Sequence, residues 1–189
     1  MVTAEQVMRV FPITRSKIEI VSDIVNITGD VDLRNHKKLP VYHRYKIPFQ
    51  FGVVQGSFLL EDLQLTSMVG SPHTVGGAAS YVNNLLTNLI GCPINITDML
   101  YLAGNKFTTL KDIPKTIEKL SLDYSPTLHL LPLVTKNAYF FNAPNPKINN
   151  IFVNYYLINN YEGRTNIKKA ILKCQKELID NGFVGNAGW

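Results

Sequence analysis

The residues best equipped for chemistry crowd into positions 34–46. Arg34, His36, Lys37, Lys38, His43, Arg44 and Lys46 stand there, with Tyr42 and Tyr45 between them. Cationic side chains attract phosphate, and interleaved aromatic rings can stack on bases or ribose, so the run is a candidate site for nucleic acid or another acidic partner. A solvated basic insertion has the same composition, and short basic runs are common. Residues that do covalent or metal chemistry are scattered. His36, His43, His73 and His129 show no metal-ligand spacing with Cys, Asp or Glu. Cys92 and Cys174 lie far apart, without a C-x-x-C or His partner pattern. Gly76-Gly77-Ala78-Ala79-Ser80 has the look of a phosphate-binding loop but lacks the following Lys-Ser/Thr. The expectation is a protein that is not an enzyme, with no catalytic residues, no metal and no cofactor.

The elements that must position such residues follow from composition and period. With 189 residues, 46% apolar and 17% charged, the chain has the length and composition of one folded domain. It has no run of 18 or more apolar residues, and Met1-Val2-Thr3-Ala4-Glu5-Gln6 does not read as a signal peptide. A reduced, intracellular protein with two free cysteines is expected. The net charge of +5 is uneven: residues 1–49 carry eight Lys/Arg against five Asp/Glu, residues 50–135 four against six, and residues 136–189 seven against three. Basic ends around a near-neutral middle point weakly to an acidic partner at one end.

The middle repeats. Pro72, Pro93 and Pro114 are evenly spaced, preceded by Leu65-Thr66-Ser67-Met68, Leu86-Thr87-Asn88-Leu89 and Phe107-Thr108-Thr109-Leu110 and followed by Val75, Ile96 and Ile117, all in the same register. A fixed period between 20 and 29 with this apolar pattern predicts a leucine-rich-repeat-like solenoid, β-rich with short parallel strands. Within a unit, Leu100 and Leu102 point inward from a strand while Tyr101 faces out. Asn105 takes the corner, where its amide can bond neighbouring coils, and Gly104 supports the turn with a positive φ. Ile27, Val31 and Leu33 fall in the slots of Ile96, Leu100 and Leu102, so a degenerate first unit opens the array and closes early at Leu39-Pro40. The unit after Pro114 is one residue short, with Leu120, Leu122, Leu128 and Leu131. Val134 and 138–141 suggest a further abbreviated strand, and Pro146, Ile148, Ile151 and Val153 a thinner echo. Five to seven coils are expected.

Caps flank the array. Thr3 and Gln6 have capping-box spacing, predicting a short helix over 4–10. Strand-like alternation over 17–33 with Ser22-Asp23 at its centre predicts a hairpin. At the other end Ile167, Ala170, Ile171, Cys174, Leu178 and Ile179 recur at helical spacing, capped by Thr165 or Asn166 and closed by Gly182 at C′. Lys168, Lys169, Lys173 and Lys176 lie off that stripe. Residues 137–160, with eight asparagines, hold Tyr139, Phe140, Phe141, Phe152, Tyr155 and Tyr156, of which those at inward parity are expected to pack. The chain thus reads as a single domain: cap 1–23, solenoid 24–160 with a basic insertion, and capping helix and tail 161–189.

The phrases Val54-Gln55-Gly56-Ser57-Phe58, Leu63 to Pro72 and Asn84 to Pro93, with Gly29-Asp30-Val31-Asp32-Leu33 ahead of them, resemble the leucine-rich-repeat-like proteins of tailed bacteriophages of the T4 type. The resemblance spans residues 24–132 and departs at Leu63, where the pattern has Asn, and at the basic insertion. It implies a small accessory protein in the cytoplasm of the infected bacterium, binding and inhibiting a host protein. A defence toxin such as a DarT-type enzyme that ADP-ribosylates DNA exemplifies that target. The strand face expected to hold the partner carries Leu59, Ser80, Tyr101 and Ser121, with Glu61, Val82, Ala103 and Asp123 beside them. Two rivals stay open: a nucleic-acid-binding accessory using Arg34, Lys37, Lys38, Arg44 and Lys46, and a structural virion protein.

Overall fold

The computed structural model describes residues 1–11, 13, 16–34, 45–111, 113–117, 119–133, 137–143, 145–161 and 167–188. Helix α1 (Ala4–Val10) opens with the capping box: the Gln6 N–H donates to Thr3 Oγ1 at 3.2 Å and the Thr3 N–H to Gln6 Oε1 at 2.9 Å. It ends at Phe11, whose buried ring meets Phe51 edge-on, 5.2 Å between centroids. Strands β1 (Ile18–Val21) and β2 (Ile24–Ile27) form the antiparallel hairpin, turning on Ser22 and Asp23 with φ of +50° and +64°. Two successive left-handed residues suit the tightest hairpin turns, whose twist matches that of the strands.

From β2 onward the chain coils. β2 with β3 (Val31–Asp32), β4 (Gln50–Val54) with β5 (Phe58–Leu59), β6 (Thr74–Val75) with β7 (Ala79–Ser80), and β8 (Asn95–Ile96) with β9 (Leu100–Tyr101) make four coils of two strands each. That is fewer than the five to seven expected, because β10 (Lys119–Asp123) and β11 (Asn137–Phe141) continue only the second sheet. The first sheet has the order β1-β2-β4-β6-β8 and the second β11-β10-β9-β7-β5-β3. Beyond the hairpin all described pairings are parallel. Val31, Phe58, Ala79, Leu100, Leu120 and Ala138 share one row, in which the step from Val31 to Phe58 is the longest and that from Leu120 to Ala138 the shortest. Ile27, Val54, Val75 and Ile96 share another. The expected slots of the degenerate first unit and of the short unit after Pro114 are both met. Each full coil has two strands, because Val75 and Ile96, the aliphatic residues after Pro72 and Pro93, pair with each other and with the Val54 row in the first sheet; Ile117, after Pro114, is buried outside any strand.

The echo at Pro146, Ile148, Ile151 and Val153 is no coil. These residues begin or lie in helix α2 (Lys147–Tyr161). Ile148, Ile151 and Phe152 are buried at i, i+3 and i+4, the spacing of one helical face, where a strand would bury every second residue. Helix α3 (Ile167–Asp180) buries Ala170, Cys174 and Leu178 and leaves Ile179 exposed. It stops as Gly182 predicts: the Phe183 N–H donates to the Leu178 carbonyl and the Gly182 N–H to that of Ile179, with φ of +85° at Gly182. Leu39-Pro40, Val134, Thr165, Asn166 and Trp189 lie outside the described residues.

Each coil has a strandless stretch after its second strand, and its buried backbone needs partners. Asn84, 3% exposed, supplies them. Its Oδ1 accepts from the Leu63 and Leu65 N–H groups at 3.2 and 2.9 Å, and its Nδ2 donates to the Leu60 and Tyr81 carbonyls at 2.8 and 2.9 Å. Asn105 repeats this one coil on, accepting from the Leu86 N–H at 3.1 Å and donating to the Tyr81 and Leu102 carbonyls at 2.8 Å. Each asparagine thus serves the coil before it. Leu63, where the repeat has Asn, is itself served in this way, its N–H being held by Asn84. The stretch after β10 takes its asparagine from the C-terminal tail. Asn186 donates to the Ser125 and Leu128 carbonyls at 2.8 and 2.9 Å, and its Oδ1 accepts from the Tyr124 hydroxyl at 3.0 Å.

Asn84→Ala should lower stability by roughly 3 kcal/mol or more, because several buried amide groups lose their partners together. Denaturant unfolding would check this; a loss under ~1 kcal/mol would mean water replaces the carboxamide. Gly91 and Gly182 share a φ of +85°, yet a Cβ on Gly91 would lie 2.4 Å from the Val69 nitrogen while one on Gly182 meets nothing within 4 Å. Gly182→Ala should therefore cost about 1–2 kcal/mol and Gly91→Ala clearly more, since it adds a backbone clash to the left-handed cost. Equal losses would remove the clash from the account.

Candidate functional site

Residues in register across the second sheet alternate between core and surface. Phe58, Ala79, Leu100 and Leu120 point in, as do Leu60, Tyr81, Leu102 and Leu122, all at most 1% exposed. The residues between them form two outward rows. One runs Asp32, Leu59, Ser80, Tyr101, Ser121, Tyr139, set directly by the strand pairings. Two residues further along each strand the other runs Glu61, Val82, Ala103, Asp123, Phe141. The Asp62 N–H donates to the Val82 carbonyl and the Asn83 N–H to that of Ala103, and Asp123 pairs with Phe141. All eight residues expected on the binding face therefore share one face of one sheet. Six strands at ~4.8 Å spacing make it about 24 Å across.

Two of the eight are not surface. Ser80 and Ser121 are 1% and 2% exposed, each a small side chain between larger neighbours in its row. Ser80 donates to Glu61 Oε1 at 2.6 Å, while Ser121 Oγ has no hydrogen-bond partner among the described residues. What the face presents instead is Leu59, Val82, Tyr101 and Ala103, all half-buried, and the open pair Tyr139 and Phe141, 44% and 50% exposed. Those two were not among the expected site residues. Parity separates them from Phe140, which packs inside against Phe152 with 5.4 Å between ring centroids. The available signal was their alignment with Ser121 and Asp123, hidden because the last step is shorter than the regular repeat.

Each carboxylate on this face already has a partner. Asp32 holds Arg34 in a two-point ion pair, with Oδ1 to Nε at 3.0 Å and Oδ2 to Nη2 at 2.7 Å. That pairing raises the Arg34 pKa and keeps the guanidinium charged. Glu61 accepts from Ser80, and Asp123 from the Gly104 N–H and Asn142 Nδ2. The face is thus mainly apolar and aromatic, with its charge tied down locally.

The basic run looks different from its sequence. Arg34 is committed to Asp32, Lys46 is exposed, and Lys37, Lys38 and Arg44 lie outside the described residues. On α3, Lys168, Lys169 and Lys173 are exposed, and Lys176 pairs with Asp180. The glycine-rich stretch at 76–77 is a coil corner: a Cβ on Gly76 would fall 2.0 Å from the Gln55 carbonyl oxygen, so the previous coil occupies the space a phosphate would need.

A cleft of about 230 Å³ opens beside Asp123, between the Asn105 corner and the 124–128 loop, with Lys106, Phe107 and Tyr124 in its wall. It is smaller than a usual small-molecule site. Among the described residues no three or more His, Cys, Asp or Glu gather as metal ligands, and no helix is long and apolar enough to cross a membrane. Cys92 precedes Pro93 at a turn and Cys174 is fully buried in α3; burial pushes both thiols up to about 12. No family model, curated protein or solved structure matches the chain.

A thiol so raised is almost entirely protonated at neutral pH and a poor nucleophile. Iodoacetamide at pH 7.5 should leave Cys174 unlabelled in the folded protein and label it fully in denaturant, by intact mass. Rapid labelling of Cys174 without denaturant would show that α3 opens.

Proposed function

We propose that this is a non-enzymatic binding protein that holds a protein partner across the outer face of its second sheet and acts by covering the partner's working surface. The observation that carries this is the row geometry: Leu59, Val82, Tyr101, Tyr139 and Phe141 lie on one face, with the largest exposed rings at its β11 end. Aromatic side chains anchor protein interfaces because they bury much area at low entropic cost. Carboxylates paired within the face favour a partner with an apolar centre. The resemblance of the repeat phrases to tailed-phage proteins supports the finer reading, an accessory protein in the infected bacterium that inhibits a host defence enzyme, for instance one of the DarT type.

A tagged pull-down from bacterial lysate, nuclease-treated and washed across a salt series, tests this reading. A stoichiometric protein partner should survive from about 50 to 200 mM salt, since an interface with locally paired charges depends weakly on screening. Recovery of nucleic acid alone, lost steeply over that range, would transfer the function to the basic run. With the partner in hand, Tyr101→Arg with Val82→Arg should weaken binding by 100-fold or so, the loss of about 3 kcal/mol at a central aromatic contact. Unchanged affinity in that folded variant would move the interface elsewhere. Ser80 is unsuitable for this test because, being buried, its replacement by Arg would break the sheet.

A further inference from the structure

The second sheet ends at β11, and a parallel sheet that simply stops presents a row of unpaired backbone groups able to pair with another chain. In β11 the Phe141 carbonyl accepts from the Tyr124 N–H, so the backbone groups of Phe141 point toward β10 and those of its neighbour Phe140 point away from the sheet's last pairing. The outward groups of Phe140 are nevertheless satisfied, both by one side chain. The Phe140 N–H donates to Asn149 Oδ1 at 2.9 Å, and Asn149 Nδ2 donates to the Phe140 carbonyl at 3.4 Å. A carboxamide presents the same acceptor and donor as a peptide unit, so Asn149 stands where the next strand's backbone would be.

The helix that carries it is well seated. Its first turn is directed by Asn145, whose Oδ1 accepts from the Lys147 N–H at 3.0 Å. Ile148, Ile151 and Phe152 are buried on either side of Asn149, and Phe152 packs on Phe140 itself. The strand behind this stop is the one a templating edge would need, with Tyr139 and Phe141 both open on its outer face.

We infer that Asn149 is a strand-mimicking stop: α2 presents its carboxamide to β11 so that a second copy of this chain cannot add a strand at that edge. The device is independent of the proposed partner, which would lie across the face of the sheet and not along its edge.

Sedimentation velocity of the full chain over a concentration series tests the inference, comparing wild type with Asn149→Leu, Asn150→Leu and Asn149→Leu with Phe141→Lys. Asn150 is exposed beside Asn149, so its replacement controls for added surface hydrophobicity. Asn149→Leu should assemble at concentrations roughly 10-fold below wild type, a tenfold step corresponding to about 1.4 kcal/mol. Asn150→Leu should behave as wild type, and Lys on the edge strand should suppress the assembly. A folded Asn149→Leu that sediments as wild type does would overturn the inference, as would assembly that Phe141→Lys leaves untouched. If Asn149→Leu does not fold, wild-type amide exchange decides. Protection of the Phe140 N–H by roughly 100-fold or more over a free amide is expected, and exchange at the free rate would contradict the stop.

Discussion

Neighbouring coils sit about 4.8 Å apart, the spacing of paired strands, so every residue lies almost directly on its equivalent one repeat away. Strand pairing satisfies the backbone at two places in a coil. The remaining stretch is strandless, and it is held by backbone bonds such as that from the Leu85 N–H to the Leu65 carbonyl together with the amide side chains of Asn84, Asn105 and Asn186. Asn84 and Asn105 bridge to carbonyls and N–H groups, and Asn186 to two carbonyls and the Tyr124 hydroxyl. The rest of the stack depends on those bridges, because a buried amide without a partner costs more than a typical packing contact returns.

From stacking like on like comes the form of the surface. A change at one position of the repeat makes a stripe, and the outward positions of the second sheet make two. Along the first, large and small residues alternate: Leu59, Ser80, Tyr101, Ser121 and Tyr139. The serines sink between their neighbours, and the exposed character of the face is set by the larger residues. Apolar rings on a face whose acids are already paired are the ground for proposing a protein partner over a polyanion.

Much of this was legible because the period is a physical register. Ile27, Val31 and Leu33 fell into their slots across a step longer than the regular repeat, since each slot is defined by its contacts in the stack and the extra residues leave it unchanged. The capping box of α1, the Ser22-Asp23 turn and the Gly182 stop are local signals and were equally plain. Harder to see were features that depend on distance in the chain. Asn186 bonds Leu128 from far along the chain, and nothing local marks it as the last corner asparagine. Ile148 and Ile151 mimicked a coil step until Phe152 showed the helical face. Burial of Ser80 and Ser121 depends on the size of residues one coil away, which a reading of each strand alone does not supply.

The measurement that bears most directly on the proposed binding face is hydroxyl-radical footprinting of the protein with and without the partner captured in the pull-down. It reads side-chain exposure residue by residue. Reduced oxidation of Tyr101, Tyr139 and Phe141 together in the complex, with Leu172 on the outer side of α3 unchanged, is the predicted result. Protection confined to α3 or to the first sheet, with the three rings as reactive as before, would contradict the account.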